Sequence, residues 1–179
     1  MNDRPEKYCK ESLVVKTSRV FTQDTNNHNT LFGGKLMSYI DDVASISAGK
    51  HSRCDTVTAS TDSVDFLLSI GQCDSVSLIS YVSWTGKTSM EIFVKIIKED
   101  LKTGKKQLAA TSFLTFVALN TLGKPQLVPQ VIPETDEEKM LYRTAKNRSI
   151  ERIKRKQESK ALVKKIGKSL ANYDNNLLI

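Results

Sequence analysis

The period of apolar and polar positions changes along the chain, and the changes mark its elements. Ser12–Thr22, SLVVKTSRVFT, is rich in β-branched residues and predicts a strand. The stretch that follows, from Asp24, is polar and rich in Asn and Thr, whose side chains compete for backbone hydrogen bonds and favour a loop. After the pair Gly33 and Gly34 the sequence LMSYIDDVASISA runs to Gly49 without Gly or Pro. At about 100° per residue, Leu36, Met37, Ile40, Val43, Ala44 and Ser47 fall on one stripe. Asp42 lies nearly opposite, and Asp41 sits at the stripe's edge. The pattern predicts a helix from Gly33 to Gly49, with Asp42 solvated and Asp41 partly buried.

Beyond Gly49 the period becomes two. Thr56–Leu68, Ser75–Trp84, Met90–Glu99 and Gln107–Leu119 each predict a strand, with turns at Ser69–Asp74, Thr85–Ser89, Asp100–Lys106 and Asn120–Lys124. Strands joined by short turns are expected to pair as antiparallel neighbours. One helix and one sheet must bury each other's apolar faces, so the expected fold is α+β, a curved antiparallel sheet wrapped on the helix. Residues 1–10 read as a polar leader. Pro125–Pro133, PQLVPQVIP, excludes a regular helix or inner strand and predicts an extended linker. From Glu134 to about Ile166 the composition shifts to Lys, Arg, Glu, Ala and Leu, which predicts one or two helices. Asp136, Glu137 and Glu138 after Thr135 favour a helix start there. The apolar stripe of this segment is weak and broken, so much of it is expected to be wet or shared with another subunit. The organisation is thus a domain over 10–124, a Pro-containing linker over 125–134 and a helical extension over 135–179.

Composition narrows the class. The chain has 179 residues, 39% hydrophobic and 26% charged, which suits one soluble domain with a polar appendage. The net charge is +7, and Asp136–Leu170 alone, with twelve Lys or Arg and five Asp or Glu, accounts for it. Any anionic partner, whether a phosphorylated ligand, a membrane surface or nucleic acid, is therefore a question about the C-terminal segment, which reads first as a solvated helix. It lacks interleaved aromatics, so nucleic acid is not expected. The three cysteines, Cys9, Cys54 and Cys73, form no C-x-x-C pair, which favours a reducing, cytoplasmic setting without structural disulfides. Met1–Lys16 is charged throughout, so no signal peptide is expected, and the apolar run near Phe113–Leu119 is too short to span a bilayer. Two histidines and no paired cysteines leave no metal site expected.

Candidate chemistry centres on the start of the helix. Its first N–H groups lack intrahelical partners, and Gly33 and Gly34 leave them uncovered, a setting for a developing oxyanion. A half-desolvated Asp41 is a candidate base or nucleophile. Spacing alone favours the plainer account, a helix acid with a nearby hydrogen-bond donor. Asn26, Asn27 and Asn29 compete on chemistry for an amide role. His28 has no carboxylate partner at a recognisable spacing, and His51 reads as a cation at the helix C-terminus. Asp62 and Asp65 share a strand face and read as structural. Thr85–Ser89, TGKTS, reads as a hairpin turn with Gly86 supplying an unusual φ, and it lacks the spacing of a P-loop.

Four stretches, TNNHNTLFGGKLMSYIDD, VTASTDSVDFL, WTGKTSMEI and VPQVIPETDEEKMLY, carry a likeness. From Asp24 to about Arg148 the chain resembles the hotdog-fold acyl-coenzyme A thioesterases, in particular the cytosolic acyl-CoA hydrolases. It departs from them after the second strand, where Ser69 stands in a Pro place and Cys73 in a Gly place. The resemblance implies a long helix wrapped by an antiparallel sheet, and a dimer whose two sheets join. Three dimers commonly form a hexamer. It implies a site at the dimer interface, completed by Asn26 of one subunit and Asp41 of the other, with Gly33 and Gly34 facing the oxyanion. Asn27 and Asn29 are left as turn residues. It adds a second account of Thr85, Gly86, Lys87, Thr88 and Ser89, as a segment that helps hold coenzyme A.

The implied reaction is hydrolysis of a fatty acyl-CoA thioester, Asp41 either activating water or attacking the carbonyl itself. Coenzyme A is then part of the substrate, and no separate cofactor is expected. Met37, Phe66 and Trp84 are candidates for the lining of the acyl tunnel. The rival from another class is a hotdog acyl-CoA sensor that binds without hydrolysis. A sensor is expected to carry a helix-turn-helix segment, for which the ten or so residues before the first strand leave no room. A hotdog hydratase needs His paired with Asp, against which the isolated His28 argues.

Overall fold

The computed structural model describes residues 4–173; the first three residues of the leader and 174–179 of the extension lie outside the described residues. The elements are β1 (Glu6–Tyr8), β2 (Val14–Arg19), α1 (Gly33–Ser52), β3 (Asp55–Phe66), β4 (Asp74–Thr85), β5 (Ser89–Asp100), β6 (Lys106–Leu119), β7 (Gln130–Ile132) and α2 (Asp136–Tyr173). Short 3-10 turns at Cys9–Ser12 and Thr22–Asp24 flank β2, which is therefore shorter than its apolar pattern. The chain divides into two compact units, residues 1–142 and 143–179.

In the first unit, five strands form an antiparallel sheet in the order β2-β4-β5-β6-β3, as the α+β reading requires. Val76, Leu78, Ser80 and Val82 alternate along β4, and the last three pair across to Ile96, Val94 and Ile92 of β5. These side chains are buried, and their face receives α1 through Leu36, Ile40, Val43, Ala44, Ser47 and Ala48. Each fully buried Leu, Ile or Val contributes on the order of 2 kcal/mol. Two hydroxyls fix the rotation of the helix. Ser80 Oγ donates to the Val43 carbonyl at 2.9 Å, so Ser47 donates to Ser80 Oγ at 2.6 Å.

The neighbour expectation holds for β4–β5 and β5–β6 and fails for β3, whose partner is β6. Leu67–Cys73 instead carries the chain from one side of the sheet to β4. Three strand spacings are about 14 Å, and seven residues reach about 24 Å, so a short connection does not require adjacency. Within it, Cys73 adopts φ 72°, the left-handed region that glycine enters without cost. Cys73, in the place where the resembling family carries glycine, thus keeps the turn at the expense of strain.

The ends of the domain also differ from expectation. The polar leader contains β1, which pairs in parallel with β7 from the extended Pro-rich segment. β7 lies between Pro129 and Pro133 in a two-stranded sheet, where flanking prolines break no ladder. α1 does not stop at Gly49 but runs to Ser52, and Arg53 closes it in the left-handed conformation with its N–H on the Gly49 carbonyl. Glycine inside a helix costs about 1 kcal/mol relative to alanine, outweighed here because the extra turn buries His51 and Ser52.

His51 is therefore not the exposed cation the sequence indicated. It is fully buried, and its Nε2–H donates to the Pro129 carbonyl at 3.0 Å. Burial lowers its pKa, so the ring is neutral. Lys7 takes the cationic role, its Nζ donating to the carbonyls of Lys50 (3.3 Å) and His51 (2.8 Å).

α2 is one helix, begun by reciprocal bonds: Thr135 Oγ1 accepts from the Glu138 N–H, and Glu138 Oε2 accepts from the Thr135 N–H. In its first turn Glu137 accepts from Lys95 Nζ at 2.8 and 2.7 Å and from Tyr81 OH at 2.9 Å. Burial pushes the Glu137 pKa up, but these donors prevail and hold it below the ordinary value. The second unit continues α2 from Arg143; Ile150, Ile153, Leu162, Val163 and Ile166 are exposed on it, the broken stripe that the sequence indicates. No described helix is long and apolar enough to cross a membrane.

A neutral buried His51 gives a pH signature. Its folded pKa lies below the unfolded value of about 6.5, so its contribution is complete above that value and is lost as pH falls toward the folded pKa. Thermal unfolding is expected to show wild-type stability falling more steeply than that of His51→Gln between pH 7 and 5. Parallel profiles would refute a neutral buried ring.

Candidate active site

The loop before α1 is folded by one carboxamide. Asn26 Oδ1 accepts from the backbone N–H of His28 (2.9 Å) and of Thr30 (3.3 Å), and Nδ2 donates to Thr30 Oγ1 at 3.0 Å. Asn29 turns the chain at φ 57°, its N–H on the Asn26 carbonyl at 3.0 Å. Asn29 is a turn residue as the sequence indicates, and Asn26 makes the turn while keeping its amide beside the helix start. The Leu31 N–H donates to the Ile70 carbonyl at 2.8 Å, tying the loop to the segment after β3.

These segments enclose a cavity of about 370 Å³ lined by Asn26, Thr30, Leu31, Gly33, Leu36 and residues 66–70. α1 starts at its wall. Phe32 precedes the first turn and offers no side-chain acceptor, and the first intrahelical bond is Leu36 N–H to the Phe32 carbonyl. The N–H groups of Gly33 and Gly34 thus have no intrahelical acceptor and carry the positive end of the helix dipole. Phe66 lines this single-chain cavity; Met37 and Trp84 do not.

Asp41 lies two turns further along α1. It is exposed in the single chain rather than half-buried, because the stripe's outer margin, with Met37, faces solvent. Its Oδ1 accepts from Thr58 Oγ1 of β3 at 3.0 Å. The sequence reading did not single out Thr58; only a sheet laid beside the helix brings position 58 to position 41. Asp42 is solvated, as the pattern indicates, and pairs with Lys16 at 2.9 Å. From Gly33 to Asp41 the helix rises about 12 Å, and Asp41 is not among the residues that line the cavity with Asn26.

The TGKTS segment is the β4–β5 hairpin connection, at the end of the sheet away from the cavity. Thr85 Oγ1 is buried and accepts from the Val131 N–H at 3.1 Å, and the Gly86 carbonyl accepts from Arg4 at 2.6 Å. Gly86 does not have the unusual φ expected of it; a Cβ there would stand 2.7 Å from Ser89 Oγ, which a turn of the Ser89 side chain would relieve. Thr88 and Lys87 offer carbonyls to Ala118 and Val128, and the Lys87 side chain is exposed.

Other chemistry is weaker. Burial pushes the Cys9 thiol up to about 12, with the Glu138 charge adding to it, so it is no thiolate nucleophile. Asp62 accepts from Ser60 Oγ and Thr115 Oγ1, consistent with a structural residue. Among the described residues no cluster of three His, Cys, Asp or Glu is placed to hold a metal ion.

Comparison with known proteins adds the following. A model of the Thioesterase superfamily matches residues 28–105. The chain is 67% identical over 166 residues to the uncharacterized acyl-CoA thioester hydrolase YkhA of Bacillus subtilis, covering 92% of this chain and 96% of that one. It is similar in structure to an acyl-CoA hydrolase from Staphylococcus aureus, solved with butyryl coenzyme A, coenzyme A and coenzyme A disulfide (48% identity, TM-score 0.88, 91% of this chain and 99% of the other). Structures of that enzyme also include three alanine variants, of an aspartate, an asparagine and a threonine, the asparagine variant with coenzyme A. A hexameric acyl-CoA thioesterase matches at 45% identity and TM-score 0.82, over 84% of this chain and 97% of the other.

Proposed function

The chain belongs to the thioesterase superfamily and is an acyl-CoA hydrolase, and from that premise we propose that it cleaves fatty acyl-CoA to free acid and coenzyme A at sites shared by two subunits. The observation that carries this reading is the Thr58–Asp41 hydrogen bond, which orients a carboxylate on α1 about 12 Å along the helix from Gly33, whose N–H faces the cavity that Asn26 also lines. A second copy supplies the missing half. Thr58 lies in the N-terminal part of β3 and Phe66 at its C-terminal end, and β3 is an edge strand. Antiparallel pairing of β3 with its own copy places Thr58 and Asp41 of one subunit toward the Phe66 and Gly33 end of the other. The variants of the Staphylococcus aureus enzyme support the same trio: their asparagine, aspartate and threonine are spaced fifteen and seventeen apart, like Asn26, Asp41 and Thr58.

In this mechanism the thioester carbonyl sits at the cavity mouth with its oxygen on the N–H groups of Gly33 and Gly34. Asn26 positions the water with the second hydrogen of its amide. Asp41 removes a proton from that water, and the hydroxide adds to the carbonyl carbon. The oxyanion collapses, the C–S bond breaks, and the thiolate of coenzyme A takes the proton back from Asp41. Thr58 holds one carboxylate oxygen so that the other faces the water. The exposed Lys87, beside Arg4, meets the phosphates of coenzyme A. Dimers grouped in threes agree with the hexameric relative.

Coenzyme A release, assayed directly, is expected to fall about a thousandfold in Asp41→Asn and about tenfold in Thr58→Val, which loses a hydrogen bond to a charged group. Undiminished turnover in Asp41→Asn would end the assignment. A single turnover in ¹⁸O-water is expected to label the fatty acid and leave Asp41 unlabelled; label in the Asp41 carboxylate would identify a nucleophile instead. Lys87→Ala is expected to raise KM severalfold and to flatten its dependence on salt, with kcat kept. An unchanged salt slope would remove Lys87 from the coenzyme site.

A further inference from the structure

β3 is irregular just past Thr58. Between the pairs Thr58–Phe116 and Phe66–Ala110, β6 spans six residues and β3 eight. The two extra residues are Ala59 and Asp62, at register shifts between Thr58 and Ser60 and between Thr61 and Ser63. Each such bulge inverts the alternation of faces, and a second restores it. The row Ser80, Val94, Ser112 and Val64 crosses the sheet on the face toward α1, since Ser80 bonds to the Val43 carbonyl. Thr58 shares that face and reaches Asp41. With one bulge and the same pairing at Phe66, Thr58 would point to the other face. With neither, it would stand opposite Ala118, about 7 Å further along the sheet. Both bulges are needed for the Thr58–Asp41 bond.

One carboxylate bonds across both. Asp62 is the extra residue of the second bulge, and its side chain reaches back to the first. Its Oδ1 accepts from Ser60 Oγ at 2.5 Å and its Oδ2 from Thr115 Oγ1 at 2.7 Å. Ser60 and Thr115 are the first pair after the first bulge, and Thr115 is 4% exposed. Thr115 follows Leu114 and precedes Phe116 along β6, so this pair lies on the face away from α1. We propose that Asp62 is a positioning residue for the hydrolysis: by clamping Ser60 to Thr115 it fixes the register that delivers Thr58 to Asp41. This rests on the reading above, in which Thr58 orients the catalytic carboxylate. The clamp needs hydrogen bonds rather than charge. A carboxamide keeps it, its oxygen accepting from one hydroxyl and its N–H donating to the oxygen of the other.

The test is a double-mutant cycle between positions 58 and 62, read as kcat for coenzyme A release. Asp62→Ala is expected to lower kcat about tenfold with KM kept, as loss of the Thr58 bond does. Asp62→Asn is expected to stay within about twofold of wild type, because the amide rebuilds the clamp. Thr58→Val with Asp62→Ala is expected to be no slower than Thr58→Val alone, since the clamp then has no hydroxyl left to aim. A variant that had merely lost folded enzyme would lose the same factor on either background. If Asp62→Ala does not fold, Ser60→Ala, which removes one arm of the clamp, replaces it in the cycle, with a smaller loss and the same non-additivity expected. Full turnover in the alanine variant, losses that multiply in the double variant, or Asp62→Asn as slow as Asp62→Ala overturns the proposal while Thr58 keeps its role. Full turnover in Thr58→Val overturns both.

Discussion

The site geometry depends on the seating of α1 against the sheet. Its apolar stripe fixes the depth of the helix, and the Ser47–Ser80–Val43 hydrogen bonds fix its rotation. A buried hydroxyl left without a partner costs about 1–3 kcal/mol, so the helix cannot turn about its axis without a penalty. That rotation aims Asp41 at Thr58 and sets Gly33 against Phe66. A helix turned by one residue would carry the carboxylate about 100° away from its donor.

The same seating explains the division of labour along α1. The positive end of the helix opens on the cavity, where backbone dipoles favour an anion. The acid lies two turns away, exposed and held by one hydroxyl. In the proposed dimer, pairing across β3 brings the two together.

Part of this was legible in the residues. The helix stripe, the four alternating strands, the turn chemistry of Asn29 and the Thr135–Glu138 helix start are local, set by periodicities of 3.6 and 2 and by side chains reaching a few positions along the chain. Asn26 beside the glycines follows from contiguity. Where local rules failed, burial elsewhere outweighed them. Gly49 suggested a helix end, yet packing of His51 on Pro129 extended the helix; a polar leader suggested no structure, yet it paired with a segment more than a hundred residues away.

By itself the sequence determined the element types, the polarity of the helix and which residues can accept a proton or leave an N–H bare, because these depend on neighbours along the chain. Only the tertiary structure decided that β3 pairs with β6, that Thr58 meets Asp41 and that Phe66 lines the cavity while Asp41 does not. Those facts depend on which surfaces face each other once the sheet has closed on the helix. A residue type carries no record of a neighbour that only folding supplies.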